Sequence, residues 1–229
     1  MTEPGNPSLR FFENSKYTAN RFNIEIRRRI LWELLGDLHG KVIVDLGCGD
    51  GSLSLMYAAG NQLVLVDGAR NMVAEAKSQA ELLGVIDNVE FIQVDFLQSM
   101  PEISADVVIC VGVFSHVNDS NRLLELLSAS MKAEGVLVIQ ISDIDHGYYQ
   151  RKQTANQGYG YQLTRTGLTD FFQLMEKHGF RLRDQRSYQW SFFPLNRMPH
   201  SLQIAILDCM RTSGWFRQYE AEHVFLYVR

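Results

Sequence analysis

The chain has 229 residues, of which 46% are apolar and 21% charged, and its formal net charge is −4. That length fits one α/β domain with a small appended cap, and the apolar share excludes a disordered chain. The acidic balance weighs against a nucleic-acid enzyme, whose phosphate contacts favour a net basic surface, so no nucleic-acid partner is expected.

Cys48, Cys110 and Cys209 are odd in number and form no CxxC pair. Neither a disulfide framework nor a zinc site is expected, and a reducing cytoplasm is the natural setting. Residues 1–10 are polar and carry no signal-peptide core. No apolar run approaches the roughly 18 residues needed to span a bilayer, so a protein off the membrane is expected.

Taken in order, residues 1–16 read as a loose arm, and helical spacing begins near Tyr17. Ile24, Ile26, Ile30, Leu31, Leu34 and Leu35 supply one apolar face, ended by Gly36 or Gly40. Arg27, Arg28 and Arg29 read as a solvated face of this helix, with phosphate contact as the alternative. A strand is predicted over 41–46, a helix over 52–59, a strand over 62–67 and a helix over 70–83. Strands follow over 88–95 and 106–111, then a Leu-rich helix over 121–133 and a strand over 136–141. The strands are nearly continuous apolar runs, as in sheets covered on both faces by crossover helices. Repeated βα units of this length imply a doubly wound parallel sheet, Rossmann-like in class. Residues 142–163 are polar and rich in Tyr and Gly, without a clear period. A helix over 166–178, a strand over 180–188, a helix from Pro199 to about Thr212 and a strand over 222–229 complete the chain.

The string Val42-Ile-Val-Asp-Leu-Gly-Cys-Gly-Asp-Gly51 runs a strand into a glycine-rich turn. Glycines permit the tight turn and let a ligand approach the main chain, where N–H groups of a following helix are free. Asp67 ends the next strand, 20 residues after Gly47. A carboxylate there can accept hydrogen bonds from the ribose hydroxyls of an adenosine cofactor. NAD meets these conditions too. However, the turn is G-x-G-x-G rather than G-x-G-x-x-G, and Asp45 just before it would repel a pyrophosphate while favouring a sulfonium cofactor with an amino group.

VIVDLGCGDG closely resembles the first motif of class I S-adenosylmethionine (SAM)-dependent methyltransferases, and LVDGARNMVAEAK and VEFIQVDF resemble the second and third. ADVVICVGVFSHV and VLVIQISD are similar to the fourth and fifth, so the resemblance spans about residues 17–145. It implies SAM as cofactor and a seven-stranded sheet whose last strand is antiparallel, with helical cap insertions. By the same resemblance Gly47 and Gly49 bound the methionine moiety, with Asp45 near its amino group and the Val111 carbonyl on its ammonium. Asp67, followed by Gly68, binds ribose. Asp95 faces the adenine amine, Phe96 supplies a backbone amide or a ring wall, and Tyr17 and Arg21 close over the cofactor carboxylate. Three parts of one domain follow: 1–40, an arm and helix closing over the cofactor; 41–145, the SAM-binding core; and 146–229, a lid or cap segment with the last strands.

Methyl transfer from a sulfonium needs alignment and water exclusion, and needs a base only where the acceptor must lose a proton. His116, just past the fourth strand at the carboxyl edge, is the candidate base, with a structural role as the alternative. Asp143, His146, Tyr148, Tyr149 and Trp190 are candidate substrate contacts, the rings among them able to cover an organic or cationic acceptor. No carboxylate cluster points to a metal. No Asn-Pro-Pro-Tyr follows Val111, and no Pro-Cys pair exists. The expected partner is a small-molecule methyl acceptor, methylated on O or N as in secondary metabolism, and the protein is expected to be a monomer or homodimer. A SAM-fold protein without methyl transfer and an NAD(P)-dependent oxidoreductase stay as alternatives.

Overall fold

Apolar strands and amphipathic helices alternate from the first helix onward in a computed structural model. It describes residues 21–100, 102–147, 149, 163–164, 166–189, 197–214 and 217–229, with backbone alone at 21 and 22. The elements are α1 (Arg21–Leu35), β1 (Val42–Leu46), β2 (Gln62–Asp67), α2 (Arg70–Leu82), β3 (Val89–Gln93), β4 (Ala105–Cys110), α3 (Ser120–Ala129), β5 (Met131–Ser142), α4 (Leu168–Lys177), β6 (Arg181–Tyr188), α5 (His200–Ser213) and β7 (Glu222–Val228). They form one seven-stranded sheet in the order β3-β2-β1-β4-β5-β7-β6. The pairs β1–β2, β1–β4, β2–β3 and β4–β5 are parallel. β7 runs antiparallel to both β5 and β6, so six strands share one direction and β7 alone opposes them.

Period-two alternation sorts the apolar residues into two cores. One face carries Ile43, Leu63, Leu65, Ile109, Val138 and Leu226 against Ile26 and Ile30 of α1, Ala76 and Ala80 of α2, and Ile204 and Leu207 of α5. The opposite face carries Val44, Val66, Val108, Ile139 and Phe225 against Leu123 and Leu127 of α3 and Phe171 and Met175 of α4. With both faces covered, the central strands have no solvated side, which is why they read as unbroken apolar runs. Gly214, left-handed at φ 71°, stops α5.

Three expectations are corrected. The helix predicted over 52–59 is a set of turns around a single 3-10 turn, Leu55–Tyr57. The Ser54 hydroxyl donates to the Asp45 carboxylate at 2.6 Å, and the Asn61 amide donates to the carbonyls of Tyr57 and Leu38 at 2.8 and 2.7 Å. These side chains compete with the helical ladder and close the segment early. The Leu-rich helix ends at Ala129 instead of 133, because the Ser130 hydroxyl bonds the Leu126 carbonyl at 2.8 Å. β5 then starts at Met131, and its register against β4 shifts between Ala105 and Val107. Arg27 is not part of a solvated face. It is buried, and its Nε donates to the Tyr188 hydroxyl at 2.9 Å, while Arg28 and Arg29 remain exposed beside Glu25. Arg27 shares the stripe of α1 that packs on the sheet, so its stem is covered and its head finds a buried partner.

Candidate functional site

The β1 strand delivers the chain into the turn 47–51 at the carboxyl edge of the sheet. Gly47 sits at φ 73°, and a Cβ there would stand 2.3 Å from Val113 Cγ2. Both the backbone conformation and the close approach of the segment after β4 therefore require glycine. The Gly49 N–H donates to Asp67 Oδ2 at 2.9 Å, and the Ala69 N–H donates to Asp67 Oδ1 at 2.8 Å. The end of β2 thus holds the turn of β1 in place.

An open cleft of about 850 Å³, its solvent mouth included, runs along this edge. Gly47, Gly49, Asp67, Gly68, Asp95, Phe96, Val111 and His116 all line it. Asp67 is pushed above the usual carboxylate range by burial, against the opposing hydrogen bonds from Ala69, Gly49 and Gly68. With three backbone donors shared between its two oxygens, the carboxylate still retains lone-pair capacity, as a ribose diol requires. Asp95 accepts from the Leu97 N–H at 3.2 Å and the Gln98 amide at 3.1 Å. Met72, Leu53 and Phe96 give the cleft apolar walls between these polar points. Two carboxylates in an apolar-walled cleft fit adenosine, and a glycine turn with an adjoining backbone carbonyl fits an amino-acid tail.

Asp45 does not line the cleft. It lies buried beneath the turn, and burial, with repulsion from Asp67 and Asp50 added, pushes its carboxyl up to about 7 despite the Ser54 hydrogen bond. Cys48 lines the cleft, but burial raises its thiol well above the ordinary value, so it stays protonated. His116 closes the short 3-10 turn Phe114–His116 after β4. Burial, then the positive charge of Arg27, lowers it to about 4, and its imidazole is neutral at physiological pH.

Asp143, His146 and Tyr149 follow β5 and are not part of the cleft wall. Asp143 forms an isolated bridge with Thr166, and His146 Nε2 meets the Gln218 carbonyl at 2.8 Å. The Tyr149 hydroxyl donates to Glu222. Tyr17, Tyr148 and Trp190 lie outside the described residues, as does the side chain of Arg21. Among the described residues no group of three or more His, Cys, Asp or Glu side chains is placed to hold a metal ion.

Sequence reading missed the cleft contacts of Ile24, Leu53 and Met72. It also missed a buried polar cluster beside the cleft. Gln140 of β5 donates to the Tyr188 hydroxyl at 3.1 Å and to Glu222, and the Ser142 hydroxyl lies 2.9 and 3.0 Å from the two Glu222 oxygens. A signal was present: Gln140 interrupts the apolar run VLVIQI, and a polar residue inside a buried strand needs a partner.

A methyltransferase-domain family matches residues 37–177 of this chain. The tRNA 5-carboxymethoxyuridine methyltransferase of Escherichia coli is 28% identical over 140 residues, 57% of this chain and 53% of that one. A ubiquinone biosynthesis O-methyltransferase of Actinobacillus pleuropneumoniae is 33% identical over 105 residues, 44% of this chain and 45% of the relative. The chain thus spans about half the length of the curated relatives it matches. The magnesium protoporphyrin IX methyltransferase of Synechocystis, solved with bound S-adenosylhomocysteine (SAH), superposes with a TM-score of 0.66 at 20% identity, covering 91% of this chain and 84% of that one. A SAM-dependent methyltransferase of Geobacter sulfurreducens, also solved with SAH, gives 0.63 at 20% identity, with 88% and 90% covered. The sheet order and the cleft at its carboxyl edge define a class I methyltransferase fold. The chain belongs to the class I SAM-dependent methyltransferase family, whose cofactor is SAM.

Proposed function

We infer that the protein transfers a methyl group from SAM to an oxygen or nitrogen of a small organic acceptor. The observation that carries this reading is one cleft lined together by the glycine turn, Asp67, Asp95 and His116. Asp67 holds the ribose hydroxyls, Asp95 takes the adenine amine beside Phe96, and the Val111 carbonyl and the 47–49 turn receive the methionine end. When bound, SAM supplies a methyl group already activated by positive sulfur. The protein's own part is to align the acceptor and exclude water. His116, neutral because it is buried, offers an imidazole nitrogen able to take the acceptor's proton as it is alkylated. The free Cys48, Cys110 and Cys209 fit work in a reducing cytoplasm.

A second reading, methylation of a modified tRNA base, is favoured by the similarity to the Escherichia coli tRNA enzyme. The net charge of −4 weighs against it.

Calorimetric titration with SAM, and separately with NADH, tests the cofactor. Saturable SAM binding is expected, weakened at least about ten-fold by Asp67→Ala, with no NADH binding. The opposite pattern refutes the reading. Transfer of labelled methyl to phenols and amines, with bulk tRNA alongside, then separates the two acceptor classes.

A further inference from the structure

Strand parity places two polar groups on one face of the sheet. Asp45, Asp67 and Val111 have the same parity as Ile43, Leu65 and Ile109, which pack toward α1, α2 and α5. Gln140 and Ser142 share parity with Val138, and Glu222 with Val224 and Leu226, on that same face. Tyr188 ends β6 opposite Glu222, and Glu222 in turn stands opposite Ser142. β5 and β6 reach this edge with their carboxyl ends and the reversed β7 with its amino end. The cofactor cleft and the Gln140–Tyr188–Glu222 cluster are therefore neighbours along one edge, on opposite sides of the end of β4.

α1 spans both. Ile24 lines the cleft, while Arg27, one turn on, bonds Tyr188 within the cluster. The charge of Arg27 is felt at His116, which lines the cleft, so the cluster lies within electrostatic reach of the candidate base. Asn23 lies on the stripe of Arg27, four residues earlier. Its Oδ1 is buried with no hydrogen-bond partner, and so is the Oε1 of Gln140. Both residues are only 3% exposed. Gln140 uses its amide N–H groups on Tyr188 and Glu222, which fixes its oxygen as the orphan. An unsatisfied buried carbonyl costs about 1–3 kcal/mol, and each of these two, one in the cluster and one on the helix stripe that reaches it, marks a place where a hydrogen-bearing group belongs. A guanidinium and a carboxyl already share the cluster, so the missing group need not carry charge. Two carbonyl oxygens need hydrogens.

We propose that Asn23 and Gln140, in the cluster with Arg27, Tyr188 and Glu222, form the acceptor-recognition subsite, and that it takes a neutral hydroxyl or amino N–H of the methyl acceptor. This rests on the cofactor reading above. A subsite built to hydrogen-bond a hydroxyl rejects the analogue that lacks it far more strongly than an apolar pocket rejects an extra methyl group.

The test uses the SAH-loaded protein and matched probes, phenol with anisole and aniline with N,N-dimethylaniline, followed by saturation-transfer NMR at millimolar concentration. Phenol and aniline are expected to bind saturably, and their methylated partners at least about ten-fold more weakly. Asn23→Leu and Gln140→Met are expected to weaken phenol binding at least about ten-fold while SAH affinity stays within about two-fold. The unchanged SAH affinity shows that a variant is folded, and the wild-type probe comparison stands without any variant. If phenol and anisole bind alike, or none of the four binds, the subsite is wrong and the cofactor reading survives. If the wild-type protein does not bind SAH, both fall.

Discussion

Asp45 and His116 show how burial sets charge at single residues, with opposite consequences. The fold raises the Asp45 carboxyl from 3.8 to about 7, chiefly by burial. Between those values the native state binds more protons than the unfolded chain, so this stabilising contribution is complete below about 3.8 and lost as pH rises through about 7. His116 is lowered from 6.5 to about 4, again chiefly by burial, so between those values the unfolded chain binds more protons and stability rises with pH. Asp45→Asn keeps an oxygen for Ser54 and never ionises. It is expected to raise stability above pH 7 by ~1–3 kcal/mol and to leave a profile that climbs from pH 4 to 6.5 with His116. Denaturant melts across pH check both, and an unchanged profile would refute the burial argument. Gly47→Ala forces a Cβ to within 2.3 Å of Val113 in a left-handed backbone. A loss of ~1–3 kcal/mol and at least about ten-fold weaker SAH binding are expected by thermal melts and calorimetry. The glycine requirement was legible in the motif. The burial of Arg27 was not, because an arginine triplet in a helix carries no mark of which member faces inward until the partner, Tyr188, arrives from 161 residues away.

Among elements, α5 shows how an insertion is fastened. Arg211 of α5 bonds Glu33 of α1 at 2.9 and 2.5 Å and Asp208 at 2.7 Å, and Arg29 reaches Asp208 at 3.0 Å. The Arg211 side chain is 5% exposed and that of Glu33 33%, so the pair lies between the surface and buried limits. Glu33→Ala is expected to cost ~1–3 kcal/mol and to speed amide exchange in α5 while leaving α3 unchanged. Uniform acceleration across both helices would show that the network does not fasten α5 locally. Helix and strand positions were largely readable from apolar spacing, as with β2, which begins and ends where the sequence places it. Errors fall where side chains cap or divert the backbone, at Ser54, Asn61 and Ser130, because such contacts join residues that no local pattern pairs. The cluster of Gln140, Tyr188 and Glu222 was hidden for the same reason: three strands and a helix each contribute one or two polar residues.

At the scale of the molecule, the sheet's class was legible from strand repetition, and the reversed last strand from family resemblance alone. Parallel or antiparallel pairing of β7 is not written in its own apolar alternation. Because the cleft is built from segments between 24 and 117, a ligand that fills it stabilises the fold as a whole. SAH at a hundred times its Kd is expected to add ~2.7 kcal/mol, a rise in Tm of roughly 5–10 °C for a chain of this size. No shift, with SAH binding seen by calorimetry, would mean that the unfolding event measured does not include the cleft.

The reversed strand has one more consequence, for the order in which the chain can fold. Within the described sheet β6 pairs only with β7, and β7 is made after it. Until residues 222–228 leave the ribosome, β6 has no sheet neighbour and β5 shows an open edge of Val136, Leu137, Val138 and Ile139. From the completion of β6 until β7 emerges, the nascent chain therefore carries two unsatisfied strand edges, the state most open to pairing with a second chain. A single seven-residue strand, inserted last into the middle of that gap, closes both edges at once.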